Sequence, residues 1–321
     1  MRFRIESLGH HVPPHIQTAA DLSARIGRSE EWILSRTGVA ERRVSEEPMH
    51  IMAAHAARAA LGDGPPPDLI INASLTPIQL IPDSSVFIQQ ALGTEGIPSF
   101  SVHATCLSFV VGMHTAGALL SAGAYERILL VSSEQGSVCR DFEHPESAAL
   151  IGDAAAAAVL TRTPDDGDSE LLAFGMTTWP QGASLAELRG CGTRKHPNDP
   201  DTSPGDNLFH MQGPRIYKMT VRRMVALYRQ LLEEADLAPE DLDLVVPHQA
   251  SGPGVAAIAR FGGLEPAKVM NIVGEYGNCI AASIPLALQR AHAEGRIERG
   301  STVLLLGMGA GLSVAGALLR W

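Results

Sequence analysis

Apolar positions fall into short continuous runs, bounded by Gly, Pro, Asp and Ser, that alternate with longer alanine-rich stretches. In the first half the runs are "DLIINAS" (68–74), "SFSVHAT" (99–105), "RILLVSSE" (127–134) and "AAAAVLTRT" (155–163). Continuous apolarity predicts strands covered on both faces, and the stretches between them predict the helices that cover them. After an acidic turn, "PDDGDSE" (164–170), come "LLAFGMTT", "DLVVPHQAS", "KVMNIVG" and "TVLLLGMG", separated by helices such as "RIYKMTVRRMVALYRQLLEEADL". The rhythm predicts an α/β fold.

The second series repeats the first. "DLIINAS" corresponds to "DLDLVVPHQAS", and Cys106 stands as far before Ile128 as Cys279 before Thr302, to within one residue. Each interval holds a small-residue helix, "LSFVVGMHTAGALLSAG" or "IAASIPLALQRAHAEG", closed by Gly as a helix C-cap. The pattern predicts two homologous halves, 1–165 and 166–321, with coincidental alternation as the competing explanation. If equivalent strands end close together, Cys106 from one half can meet His248 and Asn278 from the other.

Cys106, in "SVHATCLSFV" (101–110), stands at a strand-to-helix junction. A helix starting near residue 106 would lower the thiol pKa through its free N–H groups and dipole. The bland alternative is a buried thiol, since free Cys packs as a small hydrophobe. His248 follows Pro247 at the end of an apolar strand, where an imidazole is either a satisfied core residue or one whose nitrogens are used. Asn278, between Gly277 and Cys279, is also a common cap or turn residue. Together the three compose a nucleophile and two hydrogen-bond donors. "LGMGAGLSVAG" (306–316) lacks the Gly-Lys-Ser/Thr ending of a phosphate loop and reads as a backbone-lined turn beside the site.

Composition narrows the classes. A chain of 321 residues, 45% hydrophobic and 19% charged, is globular rather than disordered. No apolar run suits a signal peptide or approaches the about 18 residues of a membrane span, so cytoplasmic residence is expected. A net charge of -10 argues against nonspecific binding to nucleic acid or an anionic membrane. Four scattered cysteines without CxxC spacing predict reduced thiols. Of the twelve histidines, His10, His11 and His15 lie in a Pro-containing segment and His50 and His55 off one helical face, so no metal site is expected.

The chain resembles the β-ketoacyl-acyl carrier protein synthase III family of the thiolase superfamily over nearly its full length. The resemblance is carried by "ADLSARIGRSEEWILSRTGVAERRV", the Cys106 segment, "ALIGDAAAAAVL", "VVPHQAS", "GNCIAASIPLAL" and "GMGAGLSVAGALLRW". It implies a thiolase-like, five-layered αβαβα fold of two duplicated halves with mixed sheets, normally a homodimer. It also implies that Cys106 takes an acyl group from acyl-CoA, while His248 and Asn278 hold the carbonyl of a malonyl thioester during decarboxylative condensation. The backbone N–H groups of Cys106 and Ala310 would form the oxyanion hole, Trp32 and Arg36 would face CoA, and Lys218 and Arg260 would dock an acyl carrier protein. CoA thioesters enter as substrates, and no cofactor is implied.

Departures cluster around the thiol. His103 and Thr105 precede it where alanines are usual, and Leu107 and Ser108 follow it where Ala-Gly is usual. Pro253 occupies a basic docking position, an adenine-side arginine is absent, Ile81 replaces an aromatic, and Leu312 replaces Phe. Arg189, Arg194 and Lys195, in the irregular 176–213 segment, read as solvated charges or as contacts to a substrate carboxylate. Non-decarboxylating condensation, acyl transfer to another nucleophile, and a non-catalytic synthase subunit stand as alternatives, with the retained trio favouring carbon–carbon bond formation.

Overall fold

The computed structural model describes residues 1–321. All four residues of strand Leu69–Asn72 are buried, as are the first seven of Ala154–Arg162, because helices cover both faces of the sheet they occupy. In that sheet Leu69–Asn72 pairs in parallel with Ser99–Ser101 and Arg127–Glu134. Ala154–Arg162 then runs antiparallel between Arg127–Glu134 and Phe3–His11. The second sheet pairs Leu244–Pro247 in parallel with Thr302–Gly309, followed by antiparallel Ser313–Arg320 and Glu170–Thr178. These four repeat the order Leu69–Asn72, Arg127–Glu134, Ala154–Arg162, Phe3–His11 of the first sheet, whose edge strand Ser99–Ser101 has no counterpart. The chain passes from one sheet to the other between Arg162 and Glu170.

Helices Ser108–Ser121 and Ser283–Ala293 fill the space between the sheets. Phe109, Met113 and Leu120 from one, and Ile284, Leu286 and Leu288 from the other, share one core with strands of both sheets. Burying each such side chain contributes about 1.5–3 kcal/mol. Met49–Leu61 covers the far side of the first sheet, and Gly213–Glu234 with Gly252–Gly262 covers that of the second. These are the five layers.

Three segments differ from the sequence pattern. Phe3–His11 and Ser313–Arg320 complete their sheets although neither stood out as an apolar run. "KVMNIVG" is not a strand: only Val269 bridges to Val245, and Asn271 to Tyr276 turn away into a loop and a short helix. No helix is long and apolar enough to cross a membrane.

Candidate active site

Beyond Ser99–Ser101 the chain turns sharply at Thr105, whose φ of 54° is left-handed, before a helix begins at Ser108. That conformation costs a non-glycine residue about 1–2 kcal/mol and needs neighbours to hold it. The Ser108 hydroxyl donates to Thr105 O at 2.7 Å and accepts from Ala104 N–H at 3.0 Å, while Thr105 Oγ1 donates to Ala310 O at 3.3 Å. Leu107 and Ser108 are wholly buried. Three of the four unusual residues around the thiol therefore shape its turn, and the fourth, His103, is exposed.

The backbone N–H groups of Cys106 and Ala310 favour the charged form of the Cys106 sulfur. The residue is only half-buried. Even so, the protein around the sulfur pushes the thiol up to about 12, with the Glu134 carboxylate as second cause and the two N–H groups opposing both. The expected depression of the pKa is corrected here. The helix starts two residues beyond Cys106, so desolvation outweighs its dipole.

His248 follows Leu244–Pro247, its N–H donating to Leu306 O at 2.8 Å. Only 4% of it is exposed, and burial pushes the imidazole down to about 4, leaving it neutral at pH 7. Its Nδ1 is enclosed without a partner. Buried Gln249 sets this turn: its side-chain amide donates to Pro247 O at 2.7 Å and Met270 O at 3.2 Å and accepts from Ile272 N–H at 2.8 Å.

Asn278 follows Gly277, whose φ is 68°. Its Oδ1 accepts from Ile280 N–H at 2.9 Å, and its Nδ2 lies 3.5 Å from Ala250 O, two residues past His248. Its backbone is tied to the first half, donating to Leu150 O at 2.8 Å and accepting from Gly152 N–H at 3.1 Å.

Two glycines let these pieces close up. A Cβ on Gly307 would lie 2.9 Å from Leu107 Cδ2 and 3.2 Å from His248 Cβ, and one on Gly309 would lie 2.3 Å from Thr105 Oγ1. The turns that carry Cys106, Ala310 and His248 thus pack on one another, with the Asn278 amide near Ala250, just past His248. Trp32 and Arg36 stand apart, on helix Glu30–Thr37, whose terminal Gly38 abuts Gly252 beside His248. Arg28 lies over the Trp32 ring, 5.5 Å from its centroid. Lys218 and Arg260 are exposed on the two adjoining outer helices.

The sequence reading passed over Glu134, which is fully buried and accepts from Leu75 N–H at 2.5 Å, Thr76 N–H at 3.0 Å and Thr76 Oγ1 at 2.7 Å. Burial pushes it up to about 7. A carboxylate closing the apolar run "RILLVSSE" was the available signal. Arg189 pairs with Asp206 at 3.0 Å, Arg194 with Glu187 at 3.1 Å, and Lys195 donates to Asp201 O, so all three are engaged locally. Leu312 is buried against Gly182 and Leu185, whereas Ile81 is 85% exposed and closes nothing within this chain.

The family model for 3-oxoacyl-[acyl-carrier-protein (ACP)] synthase III matches residues 100–180, and that for its C-terminal part matches residues 232–321. A β-ketoacyl-[acyl-carrier-protein] synthase III of Aquifex aeolicus is 33% identical over the whole of both chains. The crystal structure of 3-oxoacyl-[acyl-carrier-protein] synthase III from that organism superposes with a TM-score of 0.90, covering 99% of this chain and 100% of its own. The priming β-ketosynthase of the R1128 polyketide pathway superposes equally well, at 28% identity, covering 99% of this chain and 96% of its own.

Proposed function

The chain belongs to the β-ketoacyl-acyl carrier protein synthase III family and is an acyl-transferring condensing enzyme; from that premise we propose that Cys106 is its nucleophile and His248 and Asn278 its enolate clamp. The observation that carries this reading is the packing of the turns that bear these residues: Thr105 Oγ1 donates to Ala310 O, Leu107 and His248 both pack against Gly307, and Asn278 Nδ2 lies 3.5 Å from Ala250 O.

In the first half-reaction the Cys106 sulfur attacks the carbonyl of an acyl-CoA. The two N–H groups stabilise the oxyanion, CoA leaves, and the thiol proton ends on the CoA sulfur. In the second, a malonyl thioester loses carbon dioxide. The electron pair of the broken bond becomes an enolate whose oxygen gains hydrogen bonds from His248 and Asn278 that strengthen as charge develops. The enolate carbon attacks acyl-Cys106, and the sulfur departs with its electron pair and is reprotonated. Neutral His248 donates through the ring nitrogen that carries its single proton, the other nitrogen being an acceptor.

The finer assignments extend the same reading. Trp32 and Arg36 meet the adenine end of CoA, and Lys218 and Arg260 attract an acidic acyl carrier protein. The enzyme works in the cytoplasm as a homodimer. The dimer is supported by a patch of exposed Leu80, Ile81, Val86 and Phe100, the last on edge strand Ser99–Ser101, whose outer side is unpaired. Sedimentation as a dimer, lost in Phe100→Lys, is the expected result. Buried Glu134, close to neutrality and near enough to act on the thiol, favours a second reading in which a base removes an α-proton and no carbon dioxide leaves.

Intact-protein mass after incubation with a panel of acyl-CoAs, followed by malonyl-CoA or malonyl carrier protein, tests the proposal. Expected are an acyl adduct on Cys106 and its discharge with release of carbon dioxide. An adduct elsewhere would overturn the nucleophile. Turnover of acyl-CoA alone, without carbon dioxide, would establish the second reading.

A further inference from the structure

Spacing along the chain kept His11 and His55 apart, yet the fold sets their rings 4.7 Å apart, centroid to centroid, tilted by 31°. Glu47 completes the group: its Oε2 lies 3.4 Å from His11 Nε2 and its Oε1 3.8 Å from His55 Nε2. None of the three takes part in the condensation. They stand at the end of strand Phe3–His11, at the opposite edge of its sheet from Ser99–Ser101, so a dimer formed along Ser99–Ser101 leaves them free.

The group is held in place by the backbone beneath it. Gly9 lets the strand touch helix Met49–Leu61, since a Cβ there would lie 2.3 Å from Ala56 O and Ala60 N, and Ser7 Oγ donates to Ala60 O at 2.6 Å. His11, two residues beyond Gly9 and on the same face of the strand, is thereby fixed against His55 of that helix. Glu47 is set independently. Ser45 Oγ accepts from Glu47 N–H at 3.0 Å and donates to Glu47 O at 2.9 Å, while Ser45 N–H donates to buried Asp153 at 2.8 Å.

One ring nitrogen is unsatisfied. His11 Nε2 is enclosed and makes no hydrogen bond, although buried polar atoms are nearly always bonded. Burial holds the His11 imidazole below its usual value, with His55 as second cause and Glu47 opposing both. At pH 7 it therefore carries no charge with which to pair Glu47, and its neutral ring is the form that binds a metal. Two imidazoles and a carboxylate suit zinc, whose bonds of about 2.0–2.1 Å put tetrahedral neighbours about 3.4 Å apart. The separation of His11 from Glu47 already matches. The three do not yet converge on one point, and the closure falls to His55 and Glu47, whose side chains are 42% and 45% exposed and free to turn.

We propose that His11, His55 and Glu47 bind a zinc ion, with water in the fourth position, and that the ion clamps strand Phe3–His11, the Ser45–Glu47 turn and helix Met49–Leu61 together. Its role is structural. An ion held only by the folded chain stabilises that chain by mass action.

The test uses the full chain, stripped with a chelator, and zinc chloride alone as the probe. Expected are one zinc per chain by calorimetry and a melting temperature that rises with zinc. Cobalt(II) in its place should give the strong visible absorption of a four-coordinate ion without a thiolate charge-transfer band, which separates this site from Cys106 and from exposed Cys191. His55→Gln and Glu47→Gln, both exposed enough to leave folding intact, should each weaken zinc binding by more than about tenfold, since loss even of an outer partner of a ligand costs about 10–100-fold. Each should also abolish the zinc-dependent rise in melting temperature. His10→Gln, whose side chain points to the other face of the strand, should bind zinc as the unaltered chain does. Undiminished binding in His55→Gln and Glu47→Gln, a thiolate band in the cobalt spectrum, or no uptake of zinc by the unaltered chain would each overturn the proposal.

Discussion

Each half of the molecule opens its central helix with the same kind of turn, and the two turns carry different chemistry. Thr105 and Ile280 are non-glycine residues with left-handed φ, 54° and 51°, and three residues later an α-helix begins on a buried serine, Ser108 and Ser283 respectively. By backbone conformation, the counterpart of Cys106 is therefore Ala281, and the next strands, Arg127–Glu134 and Thr302–Gly309, follow both at the same interval. Counting residues to the next strand had paired Cys106 with Cys279, two positions off. Cys279 is buried, at 1% exposure, and its Sγ donates to Tyr276 O at 3.4 Å. Duplication has thus supplied two copies of one turn, one holding a thiol and the other a buried alanine, while Asn278 precedes its turn in the second half. A thiol two residues away from the equivalent position is only core.

The sharpest way to break this equivalence is to remove each thiol separately. Cys106→Ala is expected to abolish the acyl adduct and lower condensation by more than about 10³-fold, as loss of a nucleophile does. Cys279→Ala should keep the adduct and lose about 1–2 kcal/mol of stability for the vacated volume, read by denaturant titration. Acylation at Cys279 would refute the pairing.

Asn278→Ala comes next. Loss of a preorganised donor costs about 10²–10³ in rate. The fall should appear in carbon dioxide release and condensation, with acylation of Cys106 spared. Equal losses in both half-reactions would make Asn278 a purely structural residue.

The strained residues themselves give a smaller contrast. A Cβ at Gly277 would lie 2.5 Å from Leu150 O, in a conformation already unfavourable to side chains. Gly277→Ala should therefore destabilise by about 1–3 kcal/mol. Thr105→Gly, which relieves strain but gives up the bond to Ala310, should change stability by less than about 1 kcal/mol. Comparable losses in the two variants would overturn this contrast.

The smallest effect is in pH. With its thiol pushed up to about 12, Cys106 is protonated at neutrality, and its alkylation by iodoacetamide should rise about tenfold per pH unit from 7 to 10 without a plateau. A plateau below pH 8 would show a stabilised thiolate. His248 adds a stability contribution of defined sign. Its folded value, about 4, lies below the unfolded 6.5, so the contribution is complete above pH 6.5 and is lost as pH falls towards 4.

Much of the fold was legible because its signals are local. Continuous apolar runs marked strands covered on both faces, and the repeated spacing announced the two halves. Phe3–His11 escaped because it sits at a sheet edge with alternating partial exposure, and "KVMNIVG" misled because an apolar run does not by itself bring a second strand to pair with it. At the site, the residue types of Cys106, His248 and Asn278 could be read. The exact equivalence of the two turns could not, because it depends on strand register, which sets Ile128 against Val303 rather than Thr302.

By itself the sequence determined the α/β class, the internal repeat, the three side chains on which the proposed chemistry turns and the family resemblance, since these depend on residue type and order along the chain. Tertiary structure alone decided that the Cys106 thiol is raised rather than lowered, that Glu134 acts on it, that Gln249 fixes the turn of His248, and that His248 borders an apolar space between two outer helices. Each of these depends on desolvation or on contacts between residues far apart in the chain, and those exist only once the two halves have packed together.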